Sequence, residues 1–242
     1  MRILNVERES EPEMRPFSFP VLALGACLLA AVAFTADARA QVKENPQAVA
    51  LFEAGIAALE SNDLPLAFKE FLAAAEEGHA DSQFNVAVMY EQGLGVGKDE
   101  SEAVVWYGKA ASQGNAAAQF NLGVLYENGR GTKIDYKKAN EWYRKASVQG
   151  DALAIGNLGM LYLRAQGVKD NKIAGVALLI LSATLDSSPE NNAKRNLSAV
   201  AGLTAEMVAA AQVLAGELSS ANNLLVPLDQ YLKESENSVL KK

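Results

Sequence analysis

Ten residues of this chain return 36 positions later. Tyr90, Gly93, Gly95, Ala103, Trp106, Tyr107, Lys109, Ala110, Gln113 and Gly114 recur as Tyr126, Gly129, Gly131, Ala139, Trp142, Tyr143, Lys145, Ala146, Gln149 and Gly150. A third pass keeps Leu158-Gly159, Tyr162 and Gly167 and then drifts. Self-similarity at such a period belongs to architectures in which each unit buries its apolar face against its neighbours. Inside each unit the apolar residues follow helical spacing, as in Phe120, Gly123, Val124 and Tyr126-Glu127. The fold class is therefore all-α, an α-solenoid of helix-turn-helix repeats. Such a fold offers a surface more readily than a reaction centre.

Each unit reads as helix A, loop, helix B and turn. The solenoid is placed at residues 45–186, with units at 45–78, 79–114, 115–150 and 151–186. Gly129 supplies the left-handed conformation that ends helix A. Asp135 is the expected N-cap of the next helix, and Asp99 with Glu102 forms a candidate capping box. In the last three units the small residues of helices A and B lie 16 apart, as Ala87–Ala103, Gly123–Ala139 and Gly159–Gly175. In the first, Gly55 and Ala67 lie 12 apart, so its loop is about four residues shorter. Residues 187–236 read as a helical C-terminal cap covering the last exposed face. Ser188 and Pro189 are expected to open a helix running to about Gly202. Thr204 caps a second, over Ala205–Glu217, and Pro227–Glu234 forms a third.

The N-terminus reads as a targeting segment. Val21–Phe34 is an apolar run of 14 residues, too short to span a bilayer and right for a signal-peptide core. Ala38-Arg39-Ala40 supplies a small-x-small cleavage site before Gln41, so residues 1–40 are assigned to a signal peptide. A start at Met14 gives a better basic lead-in, MRPF, than the glutamate-rich stretch before it. Cys27 is the only cysteine, and the residues after it stay apolar where a lipoprotein would turn polar. The expected location is periplasmic or secreted, with membrane contact only through an uncleaved signal segment. The net charge of −7 opposes a nucleic-acid partner, whose binding rests on phosphate neutralisation.

The pattern N-L-G-x-L-Y-E-N-G-x-G…D…A-x-x-W-Y-x-K-A…Q-G over Asn121–Gly150 resembles the Sel-one-like repeat family, a relative of the tetratricopeptide repeats. The first unit has tetratricopeptide spacing, and the other three resemble Sel-one-like units. The fourth departs from the pattern, with Leu178-Leu179 for Trp-Tyr and an almost wholly apolar helix B, Ile173–Thr184. That helix is expected to lie buried under the cap. The resemblance implies an exported, non-catalytic scaffold for a protein or peptide partner, in envelope regulation or assembly. The alternative it raises is β-lactam binding or hydrolysis, as in cysteine-rich relatives.

The sequence offers little for catalysis. His79 is the one histidine, placed in a turn and expected to be solvated. No second histidine or cysteine near it completes a metal site or a nucleophile–base pair, so no cofactor or metal is expected. Gly93-Leu94-Gly95-Val96-Gly97-Lys98 fails the phosphate-loop spacing, and its glycines recur with the structural period. The recurring aromatics Tyr90, Tyr126, Tyr162, Trp106 and Trp142 are read as wedges between helices A and B. The asparagine column, Asn85, Asn121 and Asn157, is read as internal scaffold. In related solenoids the A helices line the concave side. Carried over by position, that face holds Phe84, Val88, Glu91 and Gln92, then Phe120, Val124, Glu127 and Asn128, then Met160 and Arg164. Glu91 and Glu127 fall at helix ends, where a carboxylate opposes the helix dipole. The expectation is that they serve a basic partner and contribute little to folding. The oligomeric state is left open.

Overall fold

The computed structural model describes residues 45–239. Residues 1–40, read above as a signal peptide, with the expected start at Met14 and Cys27, lie outside the described residues. Eight helices form the repeats: α1 Pro46–Glu60, α2 Leu64–Glu76, α3 Ala80–Gln92, α4 Glu100–Ser112, α5 Ala116–Asn128, α6 Tyr136–Val148, α7 Ala152–Leu163 and α8 Lys172–Leu185. Three more follow: α9 Ala193–Ala199, α10 Ala205–Ser220 and α11 Leu225–Val239. Each repeat helix packs on the one before it and the one after it in sequence. No strand occurs among the described residues, and no helix there is long and apolar enough to cross a membrane.

Every repeat helix starts on a side-chain cap. The A helices begin on Asn45, His79, Asn115 and Asp151, and the B helices on Asp63, Asp99, Asp135 and Asn171. Each accepts a hydrogen bond from a backbone N–H in the first turn, which would otherwise lack a partner. His79 is therefore no solvated turn residue. The Ser82 N–H donates to its Nδ1 at 3.2 Å, and Phe52 stacks 4.7 Å from the ring. It does the work that asparagine and aspartate do at the same place in the next two units.

The glycines of the A–B loops have a packing reason. Gly131 has φ 63°, and a β-carbon there would lie 2.0 Å from the Glu100 carbonyl oxygen. The loop thus rests on the start of the preceding unit's B helix. Gly95 sits the same way on the Leu64 carbonyl, which disposes of any phosphate-loop role. Gly93 and Gly129 end their A helices at φ 75° and 68°, but Ala165 takes that place in the fourth unit at φ 52°. A β-carbon is strained in this region, so Ala165→Gly should raise stability by about 0.5–1 kcal/mol. A urea midpoint that fails to rise would show that the fourth loop relaxes around the alanine.

The cap does what the apolar α8 requires. Leu178, Leu179 and Leu181 are buried, and Leu178 and Leu181 share one core with Ala211, Leu214, Ala215 and Leu218 of α10 and with Leu228 of α11. Thr204 caps α10 as expected, accepting from the Met207 N–H. The helix expected from Ser188-Pro189 to Gly202 is shorter, because the residues before Ala193 are occupied otherwise. Ser188 donates from its backbone and its hydroxyl to Asp186, and Asn191 Nδ2 reaches the Ser182 and Asp186 carbonyls. That turn fastens the cap to the end of α8. The last helix is longer than expected, at Leu225–Val239.

Candidate functional site

The ten residues assigned to the binding face lie on α3, α5 and α7 or just beyond α7, in the same register. Phe84 and Phe120 are half-buried, their rings 5.7 Å from Tyr107 and 6.0 Å from Tyr143. Val88, Val124 and Met160 are half-buried as well, while Gln92, Asn128 and Arg164 are exposed. Asn128 Nδ2 is turned back onto the Val124 carbonyl at 2.9 Å.

The two glutamates of this row are not a solvated edge. The Tyr107 hydroxyl donates to Glu91 Oε2 at 2.7 Å, and the Tyr143 hydroxyl donates to Glu127 Oε2 at 2.6 Å. Asparagine from the next unit completes each couple: Asn121 Nδ2 donates to the Tyr107 oxygen and Asn157 Nδ2 to the Tyr143 oxygen, both at 3.2 Å. Arg130 Nη1 sits 2.9 Å from Glu91 Oε1, and Arg164 Nη1 sits 3.9 Å from Glu127 Oε1. The glutamate side chains are only 18% and 17% exposed. Burial, reinforced by the glutamate charge, pushes both phenols well above their ordinary range, so they remain donors at any physiological pH. Arg130 also grips Glu100 at 2.7 Å, and this hydrogen bond, helped by Lys98, holds the Glu100 carboxyl below its usual range. Against the expectation of carboxylates left free for a basic partner, both glutamates have internal partners.

The couples exist only in the two inner units. In the fourth unit Leu163 and Leu179 replace glutamate and tyrosine together, and in the first Leu59 and Phe71 do so. Asn85 stands in the same register to Phe71 as Asn121 does to Tyr107, and Phe71 has no hydroxyl. Asn85 Nδ2, on a residue 4% exposed, has no partner among the described residues. The asparagine column is thus scaffold at Asn121 and Asn157, and at Asn85 it is the scaffold's unfilled end.

A second ladder ties the units elsewhere. Gln113 Nε2 donates to the Gly78 carbonyl and to Gln83 Oε1, and Gln149 repeats this on Gly114 and Gln119. Gln83 and Gln119 donate in turn to the Ala75 and Ala111 carbonyls, each at 3.0 Å. In the next unit Ile155 and Leu185 stand at these places and the ladder stops.

Of the five aromatics read as core wedges, Trp106 and Tyr162 are buried as expected, while Tyr90, Tyr126 and Trp142 are half-buried. The wedges between A and B are Phe71, Tyr107 and Tyr143, all at 0% exposure. A β-carbon on Gly123 would lie 2.6 Å from the Tyr143 ring, which explains the small residue opposite. Tyr126 and Trp142 are half-buried, and Lys145 Nζ lies 3.8 Å above the Trp142 ring. Among the described residues no group of three or more histidine, cysteine or carboxylate side chains could hold a metal ion.

The family described as Sel1 repeat matches residues 80–115, 116–151 and 152–187. The crystal structure of a Sel1 repeat protein from Oxalobacter formigenes is similar at 31% identity, over 74% of this chain and 74% of that one, with a TM-score of 0.57. The chain belongs to the Sel1 repeat family. The crystal structure of c5321, a protective antigen present in uropathogenic Escherichia coli strains displaying an SLR fold, is similar at 28% identity and a TM-score of 0.47. That match covers 72% of this chain and 45% of that one. No curated protein matches the chain. Sel1 repeat proteins generally serve as protein-interaction scaffolds. The Tyr–Glu–Asn couples and the glutamine ladder are how these Sel1 repeats hold their register.

Proposed function

We propose that this chain is an exported, non-catalytic scaffold that binds a protein or peptide partner in the cell envelope, in regulation or assembly. The observation that carries the reading is the internal use of its polar groups. His79 caps a helix, the inner glutamates hold buried tyrosines, and the asparagines and glutamines tie unit to unit. No nucleophile and base converge among them, as acyl transfer to a β-lactam would require. What remains for a partner on the A helices is a half-buried apolar row, Phe84, Val88, Phe120, Val124 and Met160, edged by Gln92, Asn128 and Arg164. With Glu91 and Glu127 neutralised internally, this face suits an apolar segment better than a basic one.

Three measurements test the reading. Intact mass of the exported form should begin at Gln41, and a lipidated Cys27 at its N-terminus would overturn the export route. Cross-linking in the envelope with a photoreactive residue at Gln92 or Asn128 should trap one partner that a photoreactive residue at the far end, at Val213, does not. Turnover of a chromogenic β-lactam would refute the non-catalytic assignment.

A further inference from the structure

Helices α3, α5 and α7 each pack on the B helix before them. In α5 one register is buried throughout, Ala118, Gln119, Leu122 and Leu125, and Gln119 bonds the Ala111 carbonyl of α4. Gln83 does the same from α3 to the Ala75 carbonyl of α2. The register carries over to α1 through its glycine. A β-carbon on Gly55 would lie 2.5 Å from the Phe71 ring, as one on Gly123 would lie 2.6 Å from the Tyr143 ring. With Gly55 at the place of Gly123, the corresponding face of α1 is Ala50, Leu51, Ala54 and Ala57. Among the described residues no helix precedes α1. Its three alanines there are exposed and Leu51 is half-buried. A solenoid end that meets only water carries a polar outer face. This one is apolar, whereas the other end has its cap.

Charge selects what fits this face. Residues 45–78 carry six carboxylates, Glu53, Glu60, Asp63, Glu70, Glu76 and Glu77, against Lys69 alone, while residues 79–186 carry eleven of each sign. Asp63 caps α2, Glu77 accepts from Asn45, and Glu70 faces Lys69. Glu53, Glu60 and Glu76 are exposed, with no partner among the described residues. Glu53 and Glu60 lie two turns apart on α1, about 10.5 Å, and border the alanine face along one side. A second copy of the chain fits poorly. Its first unit is equally acidic, and its cap, residues 187–239, has six carboxylates against three basic groups. Either end would set like charge against like.

We propose that the Ala50, Leu51, Ala54 and Ala57 face of α1 docks a basic amphipathic helix of a partner protein, lying where the B helix of a preceding unit would lie. The alanines let the partner helix approach closely, and its larger apolar residues supply the buried area. Lysines or arginines two turns apart on its flank meet Glu53 and Glu60. No element of the described fold has to move. The surface is at the end of the solenoid and does not depend on the A-helix row.

The test uses the full chain and, as probe, a fluorescent peptide of about 18 residues with leucines at helical spacing and lysines elsewhere. A twin peptide carries glutamate for every lysine. The lysine peptide should bind at low salt and weaken as salt rises, and the glutamate peptide should not bind. Glu53→Lys with Glu60→Lys should weaken the lysine peptide by about tenfold. Ala54→Arg sets a long cation on the apolar face and should abolish binding with the melting temperature unchanged, since the position is exposed. Should Ala54→Arg lower the melting temperature, Ala50→Arg decides in its place. Equal binding of the two peptides, or full binding by the arginine variant, would overturn the proposal. Gln92→Lys with Asn128→Lys should leave binding intact, and a loss there instead would assign the peptide to the A-helix row and overturn it. A concentration-dependent dimer that Ala54→Arg dissolves would also overturn it, since the face would then serve a second copy of this chain.

Discussion

Tyr143→Ala should lower stability by roughly 3–5 kcal/mol, the range for emptying a fully buried aromatic site. The ring has no exposed surface, packs against Gly123 and Phe120, and carries a hydroxyl that links two units. Tyr143→Phe separates the packing from the hydrogen bonds. It keeps the ring but strips Glu127 of its donor and leaves Asn157 Nδ2 without an acceptor, for about 1–3 kcal/mol. Phe71 shows that phenylalanine fits the site when the carboxylate is absent too, since Leu59 stands where Glu91 and Glu127 stand later. Hence Tyr143→Phe with Glu127→Leu should recover part of what the single change loses. Trp142→Ala, at a half-buried ring, should cost less than Tyr143→Ala. Denaturant midpoints with matched slopes measure all four, and a Trp142→Ala loss as large as that of Tyr143→Ala would contradict the burial order.

That order was half visible in the sequence. Trp142 and Tyr143 recur together with Trp106 and Tyr107, so periodicity treats them alike. Adjacent helical residues point about 100° apart, so only one can face helix A, and recurrence does not say which. The caps were plain because they are local: Asp99, Asp135 and Thr204 are read from their own residue type. The false start at Ser188-Pro189 arose because Ser188 and Asn191 serve a turn with Asp186 and Ser182, a choice made by tertiary contacts. Arg130 and Arg144 escaped for a different reason. Each occurs once, with Leu94 and Gln166 in register with the first and Gly108 and Ile180 with the second. A reading built on recurrence cannot see them, yet one neutralises the candidate groove and the other bonds Asp229 of α11.

Reversing both Glu91 and Glu127 to Lys should unfold the chain at a clearly lower denaturant concentration. Read as free carboxylates at helix ends, they would be replaceable without loss, as exposed positions usually are. They are instead the acceptors of two buried phenols and partners of Arg130 and Arg164. Loss of an acceptor from a buried donor costs about 1–3 kcal/mol, and a lysine would also face a guanidinium. The couples share no partner, so the two losses should add. Glu91→Gln and Glu127→Gln keep a carbonyl oxygen for the tyrosine and give up only the charge, so they should recover most of the stability. The order wild type, Gln pair, Lys pair in urea midpoints is the result that supports internal use. A Lys pair that melts with the wild type but fails to hold a basic peptide at low salt would return these carboxylates to the surface. The half-buried exposure and the 2.6–2.7 Å phenol contacts argue for the first result, because a carboxylate that accepts from a buried phenol and faces a guanidinium has little left to offer a partner.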